Sequence, residues 1–115
     1  YCKERKLTIP QNKAAFVKCI CASLASKYKE AIIEMNRLIP EPIKQLYIIG
    51  GGSRNSLLNQ LTADVTGIPV IAGPAEATAI GNILTQAYAK GDIKSQEEIT
   101  QIVRSSFDTK TYQPQ

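Results

Sequence analysis

The sequence predicts an α/β fold of short parallel strands with helices packed on them, and three observations predict it. Apolar residues recur in steps of three and four through several long stretches, as on one face of a helix. Two short apolar runs, residues 45–49 and 68–72, lie between those stretches. Glycine or proline punctuates almost every junction, and the resulting order is helix, strand, helix, strand, helix, helix. At 115 residues the chain is one domain or part of a larger one. Roughly two-thirds of its unfolded surface could be buried at that length. It begins at Tyr1 with no signal-peptide pattern, so a piece cut from a longer protein is the expectation. No apolar run approaches about 18 residues, so no membrane-spanning helix is expected.

Residues 1–12 read as a loop, with Pro10 as a breaker and Asn12 as the N-cap of the first helix. Over 13–38 the residues Val17, Ile20, Leu24, Tyr28, Ala31, Met35 and Leu38 form one helical stripe, with Lys18, Lys27, Lys29, Glu30, Glu34 and Arg37 off it. A helix this long needs a larger partner surface than the rest of the chain offers. Pro40 and Pro42 stop it. The run 45–49 is a strand of the kind buried on both faces. The glycine loop 50–53 comes next, then a helix over 54–66, capped by Gly52 or Ser53 and closed by Gly67. Leu57, Leu58, Leu61 and Val65 form its apolar side.

The second strand spans 68–72, where Pro69 suits a strand's beginning or an edge. Gly73-Pro74 is a turn. A helix over 76–90 begins with small residues (Ala75, Ala77, Thr78, Ala79, Gly81) that would admit a neighbouring backbone closely, and Gly91 ends it. Ser95 and Glu98 have the spacing of a capping box for a last helix over 96–106, with Ile99, Ile102 and Val103 facing inward. From Thr109 the sequence reads as a polar tail.

The junction around Gly50-Gly51-Gly52 is the place where chemistry is expected. Adjacent glycines mark positive φ or close approach, and a strand, a glycine turn and a helix N-terminus together expose N–H groups that suit an anionic or nucleotide ligand. A tight turn with no ligand remains the plainer alternative. A dinucleotide site fits poorly, because Asn55 stands where a third glycine belongs and no acid ends the second strand.

Composition narrows the rest. The net charge of +4 arises from 14 basic and 10 acidic residues, and no basic helix interleaves with aromatics, so no nucleic-acid partner is expected. There is no histidine, which removes the commonest general base and metal ligand. Cys2, Cys19 and Cys21 lack zinc-site spacing and read as buried, reduced thiols of a cytoplasmic protein. Cys2 is expected nearer Cys19 than either is to Cys21, with pairing left open.

Residues 48–64, Ile-Ile-Gly-Gly-Gly-Ser-Arg-Asn-Ser-Leu-Leu-Asn-Gln-Leu-Thr-Ala-Asp, resemble the adenosine-side motif of the FGGY carbohydrate kinases, two-domain enzymes of the actin-like ATPase superfamily. The stretch 71–83, with Gly81-Asn82, resembles the rhamnulokinase branch. So do Tyr1-Cys2, Lys18-Cys19-Ile20, Ser23-Leu24-Ala25 with Tyr28, and Ser105-Ser106-Phe107 with Tyr112 and Pro114. The resemblance covers nearly the whole chain. It implies the C-terminal part of the second, ribonuclease H-like domain of an enzyme that phosphorylates L-rhamnulose or a related ketose with ATP and Mg²⁺. Gly51 would then lie against the nucleotide through its backbone, Gly50 and Gly52 would give it access, and Asn55 would face the adenine side.

The resemblance also implies that the catalytic aspartate, the phosphate loop and the sugar-binding residues lie before this chain begins. Asp64, Glu76 and Asp92 are read instead as a surface acid, a helix-start carboxylate and a turn residue. No catalytic residue and no metal ligand is assigned here. The alternatives are another sugar kinase, such as a fuculokinase or xylulokinase, or a non-catalytic actin-like nucleotide-binding domain.

Overall fold

A computed structural model describes residues 9–115. The elements run α1 (Lys13–Asn36), β1 (Leu46–Ile48), a 3-10 turn (Gly50–Arg54), α2 (Ser56–Thr66), β2 (Val70–Ala72), α3 (Ala77–Lys90), α4 (Gln96–Ser106) and β3 (Lys110–Tyr112). Asn12 caps α1 as its residue type predicts, its Oδ1 accepting the Ala15 N–H at 2.9 Å. The helix ends two residues short of the expected 38, and the Asn36 side chain then accepts the Ile43 N–H at 2.9 Å, fixing the return of the chain through its prolines.

β1 and β2 are parallel, with Leu46 opposite Val70 and Ile48 opposite Ala72, so the expected pairing holds. The sheet is nonetheless mixed. β3 lies antiparallel on the other side of β2, with Val70 opposite Tyr112. The polar tail expected from Thr109 is therefore corrected. Its alternation of Lys110, Thr111 and Tyr112 is a strand pattern too short to register as a period, and Tyr112 turns inward to the core.

Helix α2 joins two apolar clusters. Ala63, Val70, Ala72 and Tyr112 pack together with Leu46 and Ile48 beside them. Cys21 and Ala25 of α1 meet Leu58, flanked by Leu61 and Val65. Val70 has no exposed surface, and burying such a side chain stabilises by about 1.5–3 kcal/mol.

Three expectations about faces are corrected. On α1 the buried residues are Cys21, Ala25 and Ile32, while Val17, Ile20, Leu24, Tyr28, Met35 and Leu38 of the expected stripe are exposed. A small-residue stripe lets α2 approach closely, and the large residues are left for another surface. On α2, Leu57 is exposed and the inward side includes Asn59 and Thr62. On α3 no described residue is fully buried, and a Cβ at Gly81 would meet nothing within 4 Å, so no described backbone approaches the helix closely at that glycine. The radius of gyration, 18.1 Å, exceeds the about 13 Å of a compact chain this long, as these uncovered faces require.

Helix α4 begins as predicted. The Ser95 Oγ accepts the Glu98 N–H at 3.2 Å, but the Glu98 carboxylate accepts from Lys94 N, one residue earlier than in the usual reciprocal box. Ile99, Ile102 and Val103 are half-buried. The expected proximity of Cys2 and Cys19 lies outside the described residues; the reading of buried thiols holds for Cys21 and is corrected at Cys19, which is exposed. Among the described residues no helix is long and apolar enough to cross a membrane.

Candidate functional site

The glycine stretch leaves the carboxyl end of β1, where the chain must turn from the sheet plane into α2. Ile49 is still extended, and Gly50 makes the turn with φ +72°, a left-handed conformation that favours glycine. What the sequence presents as a loop is wound into a 3-10 turn. The Ser53 hydroxyl donates to the Gly50 carbonyl at 2.7 Å and the Asn55 N–H donates to the Gly52 carbonyl at 3.1 Å. Regular helix then begins at Ser56 rather than 54, because Asn55 breaks from helical geometry (φ −87°, ψ 87°) and serves as the cap. Its Oδ1 accepts the Leu58 N–H at 3.1 Å, the role expected of Gly52 or Ser53.

The three glycines differ. Gly50 is required by its backbone. A Cβ on Gly52 would make ordinary contact with Ile48 Cγ2 at 3.6 Å. At Gly51 the φ is not left-handed and a Cβ would meet nothing within 4 Å, so neither conformation nor packing among the described residues calls for glycine there.

Two further segments hold the turn. The loop after β2 clasps it from one side: the Gly73 N–H donates to the Ile48 carbonyl at 2.9 Å, the Gly50 N–H to the Pro74 carbonyl at 3.1 Å, and Arg54 pairs with Glu76 at 2.9 Å. Both side chains of that ion pair are largely exposed, so it adds little to stability. From below, the buried Asn59 donates through Nδ2 to the Ser53 carbonyl at 2.9 Å. Asn55 Nδ2 reaches the Cys21 sulfur at 3.8 Å, a weak contact that links the turn to α1.

The structure thus brings Gly50, Gly51, Gly52 and Asn55 into one exposed turn, with the polar atoms of Asn55 partly spent on the cap. Sequence reasoning missed Asn59 and Gly73. A mid-helix Asn beside apolar positions is a legible sign, since Asn is a poor helix former without a specific partner. Gly73 carries φ +111° and a Cβ there would stand 3.1 Å from the Asp108 carbonyl, a long-range closeness that no local pattern reveals.

The three carboxylates do not converge. Asp64 accepts from the Gln60 amide at 2.8 Å and from the Gln115 N–H at 3.2 Å. Glu76 faces Arg54, and Asp92 comes directly after the Gly91 helix stop with its N–H on the Ala87 carbonyl. Among the described residues no group of three His, Cys, Asp or Glu side chains could hold a metal ion.

Residues 5–90 match the FGGY family of carbohydrate kinases, C-terminal domain. The whole chain is 45% identical to the rhamnulokinase of Bacteroides thetaiotaomicron over 115 residues, which cover 24% of that protein. It is 46% identical to the rhamnulokinase of Bacillus subtilis over 114 residues, 99% of this chain and 24% of the relative. To the rhamnulokinase of Pectobacterium atrosepticum it is 42% identical, over 99% of this chain and 23% of the relative. The chain spans about a quarter of the length of the curated relatives it matches.

Proposed function

The chain belongs to the FGGY family of carbohydrate kinases, and on that premise we propose that it forms the adenosine-side wall of the ATP site in a longer sugar kinase. That kinase has the actin-like ATPase fold and transfers the γ-phosphoryl group of ATP to the 1-hydroxyl of L-rhamnulose. The shared name of the relatives favours L-rhamnulose over the fuculokinase and xylulokinase alternatives. The activity, the sugar and the Mg²⁺ are attributed to the longer protein.

The observation that carries the reading is the unclaimed space at Gly51. A glycine needed by neither φ nor crowding is explained when a ligand lies flat against its Cα. Gly50 sets the turn that presents it, and the small Gly52 keeps the approach open. Asn55 has its Oδ1 committed to Leu58, so its share in binding is the Nδ2 amide, a donor for a ring nitrogen of adenine. When bound, ATP supplies the phosphoryl group, and this wall orients its nucleoside end.

Among the described residues no three His, Cys, Asp or Glu side chains come together as metal ligands, and the Asp64 and Glu76 carboxylates already have partners. The Mg²⁺ and the catalytic base are both placed outside the chain. Phosphoryl transfer needs clamps, metal and base around one in-line geometry, so this chain alone is expected to be inactive. The test is a coupled kinase assay of the complete protein with ATP and L-rhamnulose, L-fuculose or D-xylulose, beside the 115-residue chain. Turnover on L-rhamnulose by the complete protein alone supports the reading. Comparable turnover by the short chain, or none by the complete protein on any of these sugars, overturns it.

A further inference from the structure

The turn that carries Gly51 also fixes where Arg54 stands. Gly50–Arg54 is wound as a 3-10 helix, and at about three residues per turn the side chains of i and i+3 eclipse one another. Gly51 and Arg54 are such a pair, as are Gly50 and Ser53, whose hydroxyl closes back on the Gly50 carbonyl at 2.7 Å. Arg54 therefore rises from the same face as the open space at Gly51, where a Cβ would meet nothing within 4 Å. That space has a bare glycine at its floor and an arginine at its rim.

The guanidinium is held from the loop after β2. Its Nη2 donates to Glu76 Oε1 at 2.9 Å. Glu76 occupies the N-cap position of α3 yet makes no side-chain bond to that helix, so its carboxylate serves Arg54 instead. The two side chains are 73% and 71% exposed, so the pair contributes little to the fold. The carboxylate also offsets the cation's charge, which makes Arg54 a poor clamp for a phosphate. What stays available is the flat face of the guanidinium, delocalised and weakly hydrated, the property by which arginine stacks on aromatic rings.

We propose that Arg54 is a base-contacting residue: its guanidinium stacks on the face of the nucleobase turned away from Gly51, and Glu76 is the positioning residue that holds it in that plane. The inference rests on the reading of this turn as the nucleoside wall and adds a second side to the seat. Gly51 supplies the close backbone, Asn55 an in-plane donor through Nδ2, and Arg54 the stacked surface. A stack recognises an aromatic plane rather than a pattern of donors. Arg54 therefore contributes affinity for the base, and the choice among bases is left to Asn55.

The test is calorimetric binding of ATP and of adenosine to the complete protein and its variants, each beside its thermal midpoint. Arg54→Ala is expected to weaken both ligands by the same factor, roughly 2- to 30-fold, the range for a cation on an aromatic face, with the midpoint near the parent's. Arg54→Lys, which keeps the charge and loses the plane, is expected to restore little of the affinity. Glu76→Ala should weaken both ligands as well, and Glu76→Gln, which still accepts from Nη2, should restore them. Loss of ATP affinity with adenosine unaffected assigns Arg54 to a phosphate and overturns the proposal, as does an Arg54→Lys protein that binds like the parent. Full affinity in Glu76→Ala overturns its positioning role. Gly51→Val separates the stack from the underlying reading. If it weakens ATP while Arg54→Ala does not, the stack is overturned and the wall stands; if neither weakens ATP, both are overturned.

Discussion

The amide of Asn59 donates to the main-chain oxygen of Ser53 at 2.9 Å from a position with no exposed surface. It is the only described side chain that holds the glycine turn from within α2, and its own Oδ1 has no hydrogen-bond partner among the described residues. Asn59→Ala should lose the bond and leave the Ser53 carbonyl short of a donor, at about 1–3 kcal/mol. Asn59→Asp should cost more, because a buried acceptor would then face an acceptor. Denaturant midpoints of the two variants check the order; an Asp variant more stable than the Ala variant would show that the donor is unimportant.

Gly73 tests the clasp on the opposite side of the turn. With φ +111° and the Asp108 carbonyl 3.1 Å from where a Cβ would sit, Gly73→Ala meets backbone strain and crowding together. A loss of about 1–3 kcal/mol is expected, larger than for Gly81→Ala, whose Cβ would enter open space in a helix. Thermal unfolding of the pair decides it.

The start of α4 gives a pH prediction. Its own main-chain N–H and then the Ser95 side chain hold the Glu97 carboxyl below its usual value. A carboxyl depressed in the folded state contributes stability that is present above its unfolded pKa and lost as pH falls through the folded one. Ser95→Ala should therefore raise the Glu97 pKa toward the ordinary carboxylate value and cost the helix its cap, about 1 kcal/mol. Carbon-detected titration of Glu97 reads the first effect, and a midpoint unmoved by the substitution would contradict it.

The parts of the fold legible in the sequence are those set by local chemistry. Asn12, Gly67, Gly91 and Ser95 act at helix ends because caps need particular residue types close at hand. The parallel pair β1 and β2 is readable from two apolar runs around a helix. β3 is not, since three residues of Lys, Thr and Tyr become a strand only through pairing with β2. The face of α1 escapes a periodicity argument because periodicity marks apolar residues, whereas α2 seats itself on the small ones, Cys21 and Ala25. At the site, the glycines and Asn55 stand out by composition. That Asn55 is a cap, and that Asn59 and Gly73 brace the turn, depends on contacts between distant segments.

The final prediction concerns Gly51. A Cβ there would enter open space and the φ is not left-handed, so Gly51→Val is expected to leave the fold of the complete protein nearly unchanged. If a nucleoside occupies that space, the same side chain must overlap it. Steric overpacking of about 1–3 kcal/mol corresponds to a roughly 5- to 150-fold weaker ATP affinity. If, as proposed, the sugar-binding residues lie outside this chain, the KM for L-rhamnulose should stay near the parent's. Asn55→Ala differs in kind: it removes the cap on Leu58 as well as the Nδ2 donor, so stability and ATP binding should fall together. ATP affinity measured by calorimetry, beside the thermal midpoint of each variant, separates the two effects. A Gly51→Val protein that keeps both its midpoint and its ATP affinity would place the nucleoside elsewhere.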